Sequence, residues 1–109
     1  MTLFAGTSPQ VTLTAQSAIN TNGVFLDNGR VVTSHSLQVN TGAGVSGGVV
    51  SLQVSLDGTN WFTTTATITT SAASTCYMVG LTAFPAQYVR ATISTGITGG
   101  TVSALVASA

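Results

Sequence analysis

The feature of this sequence that most restricts its fold is the alternation of apolar and small polar residues in short runs that end at turn-forming clusters. In the run from Val49 to Leu56, for example, Val50, Leu52 and Val54 alternate with serine and glutamine. A period of two places alternate side chains on opposite faces of a β-strand. The clusters, which contain Gly, Asn, Asp or Pro, recur at intervals of roughly 8 to 12 residues. The sequence therefore predicts an all-β fold, an antiparallel β-sandwich or jelly roll of about seven to nine short strands.

The dipeptide Asn28-Gly29 predicts a β-hairpin, because Asn-Gly supplies the two positive-φ positions that a type I′ turn needs. A two-residue turn pairs Asp27 with Arg30 across the hairpin, and Phe25 with Val32. On this register the core face is expected to carry Val24, Leu26, Val31, Leu37 and Val39. Phe25 and Val32 then lie on the opposite face beside the small ion pair, where they are either candidate partner-contact residues or are covered by a second sheet or loop.

The dipeptide Gly99-Gly100 predicts a second hairpin, with Thr98 opposite Thr101. This register puts seven apolar residues together on one face: Val89, Ala91, Ile93, Ile97, Val102, Ala104 and Val106. Leu105 points away from that face, so it is the third candidate contact residue.

The segment Asp57-Gly58-Thr59-Asn60 predicts a turn in which the aspartate side chain bonds its own turn backbone. Four aromatic residues, Trp61, Tyr77, Phe84 and Tyr88, either stack on a sugar or fill the core, and we favour the core. The residues expected to have structural turn or core roles are Asn28, Gly29, Asp57, Gly58, Trp61, Tyr88, Arg90, Gly99 and Gly100.

Charge is nearly absent, since the chain has only two basic and two acidic residues among 109. A free monomer normally uses charge to stay apart from its copies, so the neutral Thr- and Ser-rich surface favours a component of an assembly. Two cations give no electrostatic footprint for a nucleic acid. No apolar run approaches the roughly 18 residues that a membrane helix needs, and the start at Met1 lacks the pattern of a secretory signal. We expect one domain over residues 1–109, with residues 1–9 as an extended N-terminal arm.

Catalysis and metal binding are both disfavoured, because His35 and two turn aspartates are a poor set of acid, base or ligand groups. His35 is expected to be tucked at a sheet end and bonded to a backbone or hydroxyl partner. The sole cysteine, Cys76, is expected to be a buried and inert thiol. The sequence therefore predicts no enzyme, no cofactor and no metal site.

Two segments carry a resemblance to known families, Ser55-Leu56-Asp57-Gly58-Thr59-Asn60-Trp61 and Phe84-Pro85-Ala86-Gln87-Tyr88-Val89-Arg90-Ala91. They resemble the discoidin-like (coagulation factor type C) sandwich, with its Ser-x-Asp-Gly-x-x-Trp hairpin and later aromatic-Val-Arg strand. They also resemble a set of small tailed-bacteriophage virion proteins. The chain lacks the terminal cysteine pair and the ligand loops of the discoidin-like group, so that group's glycan or lipid binding is not carried over.

The phage resemblance implies a structural virion protein, a capsid decoration, cement or minor capsid protein assembled in the host cytoplasm and placed on the capsid surface. Its implied partners are the major capsid protein and copies of itself, as a homo-oligomer such as a trimer. The alternative is a tail or fibre module that recognises a host glycan.

Overall fold

Two four-stranded antiparallel sheets pack face to face in the computed structural model, which describes residues 9–109. The first sheet has the strand order β1-β8-β3-β6 and the second has the order β2-β7-β4-β5. The prediction of an all-β sandwich is confirmed. Apart from Pro9, the predicted N-terminal arm lies outside the described residues. The strands are β1 Gln10–Gln16, β2 Leu26–Val32, β3 His35–Thr41, β4 Gly47–Ser55, β5 Phe62–Thr69, β6 Cys76–Leu81, β7 Ala86–Thr98 and β8 Val102–Ser108.

The core lies between the sheets and is built from the inward residues of the four central strands. These residues alternate along each strand as the period of two requires: Leu37 and Val39 on β3, Val50, Leu52 and Val54 on β4, Val89, Ala91 and Ile93 on β7, and Val102, Ala104 and Val106 on β8. The predicted inward parity of β4 is thus confirmed as far as the strand extends. Leu56 has the same parity but is 64% exposed, because it lies beyond the end of β4.

The predicted hairpin at Asn28-Gly29 is wrong, because this dipeptide lies inside the single strand β2. Strand β2 pairs with β7, placing Asp27 opposite Tyr88, and the pairing resumes only at Val32 opposite Ala86. Three more residues lie between these pairs on β2 than on β7, so β2 forms a large bulge there. The glycine of the dipeptide has a φ of 72°, and the left-handed conformation that suits a type I′ turn serves a bulge equally well.

The bulge changes which side chains of this segment are buried. Val32 is only 9% exposed, so it is covered and the prediction of a partner contact there is wrong, whereas Val24 and Val31, expected in the core, are 63% and 52% exposed. Because Asp27 and Arg30 belong to the same strand, the cross-strand ion pair does not form. The Asp27 carboxylate instead accepts hydrogen bonds from the Gln87 side chain at 3.0 Å and from a backbone N–H of the bulge at 2.8 Å. These bonds, that from Gln87 first, lower the pKa of Asp27.

The predicted hairpin at Gly99-Gly100 is also wrong, because this dipeptide joins strands of different sheets. Strand β7 pairs with β2 and β4, while β8 pairs with β1 and β3. All seven apolar residues assigned to one face are buried, but they face one another across the core. A Cβ at Gly99 would collide with the backbone of Gly44, so the crossover also needs glycine for close approach.

The prediction for His35 is confirmed, and the prediction for Cys76 is wrong. His35 is buried and bonded to one hydroxyl and one backbone carbonyl, which confirms the sequence-based expectation. Cys76 is exposed on the edge strand β6, so the prediction of a buried thiol is wrong. Within residues 9–109 there is no helix long and apolar enough to cross a membrane.

Candidate functional site

A groove lies at one end of the sandwich, where two loops meet. One loop spans residues 56–61 between β4 and β5, and the other spans residues 82–85 between β6 and β7. The groove has a volume of about 310 Å³ and is open to solvent. Its lining residues are Val54, Ser55, Leu56, Asp57, Asn60, Phe62, Phe84 and Pro85.

The apolar part of the groove is an aromatic pair with an exposed ring. Phe62 is 59% exposed and stacks on Phe84, with ring centroids 5.9 Å apart and planes inclined by 18°. Leu56, on the same groove, is 64% exposed. Exposed large apolar side chains that adjoin polar groups in a concave surface are the usual composition of a ligand site.

The loop that carries Phe84 is fixed to the body of the sandwich by His35 and Thr33. The Phe84 N–H donates to the Thr33 carbonyl at 3.1 Å, and the Phe84 carbonyl lies 3.0 Å from Nε2 of His35. Because a carbonyl oxygen can only accept, Nε2 carries the imidazole proton, and Nδ1 accepts from the Ser108 hydroxyl at 2.8 Å. Burial lowers the pKa of His35, which favours this neutral form. His35 therefore fixes the position of the loop whose Phe84 forms one wall of the groove.

The polar part of the groove is the turn that follows β4. Oδ1 of Asp57 accepts the backbone N–H groups of Asn60 at 2.8 Å and Thr59 at 2.9 Å, and the Ser55 hydroxyl at 2.9 Å. Oδ2 accepts the side-chain amide of Asn60 at 2.9 Å. These bonds, that from the Asn60 N–H first, hold the pKa of Asp57 far below its usual range. The carboxylate is therefore ionised at any ordinary pH, and its predicted role in the turn is confirmed.

A second aromatic cluster, the Trp61 cluster, stands on the outer face of the second sheet beside the groove. It consists of Phe25, Trp61, Tyr88 and Arg90. Phe25 lies 5.8 Å from the Trp61 ring and 5.5 Å, edge-on, from Tyr88. The Arg90 guanidinium lies 4.1 Å above the Trp61 ring, and its Nε donates to Gln53 at 2.8 Å. This stacking fixes the position of Trp61 and therefore that of the next residue, Phe62, which begins β5.

The three predicted contact residues do not come together. Phe25 is 45% exposed and belongs to the Trp61 cluster, Val32 is buried at the end of β2, and Leu105 is half-buried on the outer face of the first sheet. Their contact role stays a prediction for Phe25 and Leu105.

The sequence-based predictions missed Leu56, Asn60 and Phe62, and they placed Trp61 and Tyr88 in the core. The one available signal was the adjacency of Trp61 and Phe62, since neighbouring residues of a strand point to opposite faces. Within the part of the chain that the structure describes, His, Cys, Asp and Glu side chains form no group of three or more that could hold a metal ion.

Comparisons with known proteins support the fold. No protein-family model matches the sequence, and no curated protein matches it significantly. Fifteen chains of solved structures match the sequence's fold significantly, and three of them illustrate the likeness. A chitosan-binding module of a chitosanase/glucanase from Paenibacillus sp. IK-5 gives a TM-score of 0.57 at 22% identity, covering 91% of this chain and 74% of that chain. The C-terminal domain of a chitobiase from Bacteroides fragilis gives 0.53 at 22% identity, covering 78% and 60%. A glycoside hydrolase gives 0.52 at 16% identity, covering 81% and 19%.

The chain thus spans 60% of the length of the chitobiase domain and 19% of the glycoside hydrolase. At identities of 22% or less, these likenesses establish the β-sandwich fold alone.

Proposed function

We propose that this chain is a carbohydrate-binding module that holds a glycan in the groove between residues 56–61 and 82–85 and has no catalytic activity of its own. The observation that carries the proposal is the exposed ring of Phe62, stacked on Phe84 and flanked by the polar side chains of Asp57 and Asn60. The likeness in fold to a chitosan-binding module supports the same assignment.

The two kinds of lining match the two kinds of surface on a sugar. The axial C–H groups of a pyranose form an apolar face that packs on an aromatic ring, and its hydroxyls at the rim both donate and accept hydrogen bonds. Phe62 provides the ring, while Asn60 and Asp57 provide an amide and a carboxylate at the rim of the same groove. The groove walls are fixed before a ligand arrives, since the turn and the Phe84 loop are both hydrogen-bonded, so little binding energy is lost in ordering them.

Truncation of the exposed ring tests the proposal. Covering roughly 60 Å² of the Phe62 ring with a sugar face contributes about 1.5 kcal/mol, so we expect Phe62→Ala to weaken binding about tenfold or more. Met78→Ala is the matched control, because Met78 is 67% exposed but lies on the edge strand of the other sheet. Isothermal titration calorimetry with chito-oligosaccharides, chitosan oligosaccharides and cello-oligosaccharides would measure both variants against the wild type.

Thermal unfolding of the two variants checks that neither loses its fold. The proposal fails if the wild-type chain binds no member of this panel. It fails equally if Phe62→Ala binds as tightly as Met78→Ala, because the ligand would then sit elsewhere on the molecule.

The sequence resemblance to virion proteins leads to a different first choice, a capsid decoration or minor capsid role, and the comparisons lend that role no support. A tail or fibre module that recognises a host glycan would use the same groove, so this form of the virion hypothesis agrees with the proposed function. Its distinguishing experiment is binding of the purified chain to host cells, which free oligosaccharide would compete away if the groove is responsible.

A further inference from the structure

We infer that the groove selects glycans that carry protonated amino groups, such as oligomers of glucosamine, over the N-acetylated and neutral glycans of the same length. This inference rests on the proposed glycan-binding function and adds the chemical class of the ligand. It is carried by how the few charges of the chain are distributed around the groove.

Asp57 is the single ionic side chain among the residues that line the groove. The other three ionic residues, Asp27, Arg30 and Arg90, lie on β2 and β7. Arg90, the cation of the neighbouring Trp61 cluster, is held over the Trp61 ring and hydrogen-bonded to Gln53. With so few charges on the chain, the negative charge of the groove is left uncompensated by any lysine or arginine of the lining.

The Asp57 carboxylate has room for one more donor. Each carboxylate oxygen offers about two lone-pair sites. Oδ1 accepts three hydrogen bonds, whereas Oδ2 accepts one from the described residues, that of the Asn60 side-chain amide. An ammonium group is a suitable additional donor, because it carries three N–H bonds and makes a charge-assisted hydrogen bond to the carboxylate.

The aromatic wall favours the same ligand. A cation within about 6 Å of a ring face is attracted by the ring quadrupole, and the exposed Phe62 ring lines the same groove as Asp57. Acetylation of the amine removes its charge, and with it both the ion pair and the attraction to the ring. Because the groove is open to solvent, we expect a moderate preference, roughly fivefold to tenfold for the amine over the acetamide.

The experiment compares a glucosamine tetramer with an N-acetylglucosamine tetramer by calorimetry at about pH 5.5, where a primary amine is protonated. The variant Asp57→Asn keeps an oxygen that accepts the turn N–H groups and removes the charge. We expect it to lose the preference for the amine, so that the two tetramers bind the variant with similar affinity, and the ratio of the two dissociation constants is the quantity that decides. Asp27→Asn is the matched control, because Asp27 is a surface carboxylate on β2 outside the groove, and it should keep the preference.

A second measurement keeps the inference testable if Asp57→Asn does not fold. Raising sodium chloride from about 20 mM to about 500 mM shortens the range of electrostatic attraction to a few ångströms, so the wild-type preference for the amine should shrink. Equal or tighter binding of the acetylated tetramer overturns the inference and leaves the glycan module intact. A preference that survives in both Asp57→Asn and high salt also overturns it. Failure to bind either tetramer or any neutral glycan overturns the proposed function itself.

Discussion

Replacing Arg90 with alanine should destabilise the whole domain, although the side chain is on the surface. Its guanidinium lies 4.1 Å from the centroid of the Trp61 ring, and its Nε donates to Oε1 of Gln53 at 2.8 Å. Arg90 is on β7 and Gln53 is its paired neighbour on β4, while Trp61 leads into β5. One side chain therefore connects three strands of the second sheet across its outer face.

The magnitude follows from the contacts that alanine removes. A partly exposed cation–π contact contributes about 0.5 to 1 kcal/mol, and a hydrogen bond from a charged donor contributes at least about 1 kcal/mol. We therefore expect Arg90→Ala to lower the free energy of unfolding by about 2 kcal/mol. For a chain of 109 residues the unfolding entropy near the midpoint is about 0.23 kcal/mol/K. The melting temperature should then fall by about 9 °C.

The assay is urea unfolding and differential scanning calorimetry of the wild type, Arg90→Ala, Arg90→Lys and Arg30→Ala. Lysine keeps the charge but has neither the planar group that stacks on the indole nor an Nε, so Arg90→Lys should recover less than half of the loss. Arg30→Ala is the control, because Arg30 is an exposed residue of the β2 bulge and should change stability by no more than about 0.5 kcal/mol. If Arg90→Ala falls within about 0.5 kcal/mol of the wild type, the reasoning is refuted and the cation–π contact contributes nothing.

Three further outcomes are expected. Burial lowers the pKa of His35, so on acidification the imidazole of the unfolded chain is protonated at a higher pH than that of the folded chain. The free energy of unfolding should therefore be constant above about pH 6.5, the ordinary pKa of histidine, and decrease as the pH falls below that value. Urea midpoints measured from pH 7.5 to 5 check this, and His35→Gln should make the midpoint less dependent on pH. Gly58 has a φ of 75°, a conformation that residues with a Cβ rarely adopt. Gly58→Val should therefore cost about 1 to 2 kcal/mol in unfolding free energy and Gly58→Asn less, whereas equal stabilities would contradict the strain argument. The exposed thiol of Cys76 should react with Ellman's reagent without denaturant, and a thiol that reacts only in denaturant would place it in the interior.

The sequence predicted the fold class well because the strand period reports burial directly. An inward position of a sandwich strand needs an apolar side chain whatever strand lies next to it, so Leu52, Ile93 and Ala104 are buried as their parity requires. The period says nothing about hydrogen-bonded neighbours, because strand pairing uses backbone groups that every residue carries. For that reason the alternation of apolar and polar residues could not predict the order of the strands in the two sheets.

The glycine dipeptides were misread because one backbone requirement has several structural uses. Gly99-Gly100 allows a tight turn, but a turn can close a hairpin or carry the chain from one sheet to the other. Both outcomes bury the same seven apolar residues of β7 and β8, either on one face or on two opposing faces. The strands that pair with β7 and β8 distinguish them, and strand pairing, like the close approach of Gly99 to Gly44, is a tertiary contact. Asn28-Gly29 is the same case, in which a left-handed glycine makes a bulge.

The site was harder to predict because the adjacent residues Trp61 and Phe62 have different roles, one structural and one in the groove. Trp61 immediately precedes β5 and Phe62 begins it, so in the extended chain their side chains point to opposite faces. The Trp61 ring is held by Arg90 on the outer face of the sheet, and this leaves Phe62 directed to the end of the sandwich, where Phe84 stacks on it. The sequence shows the adjacency but not which ring is held by protein and which is offered to a ligand, since that depends on residues about thirty positions away on β7. Trp61, the aromatic residue of the sequence motif, therefore has a structural role, and its neighbour Phe62 is the candidate ligand contact.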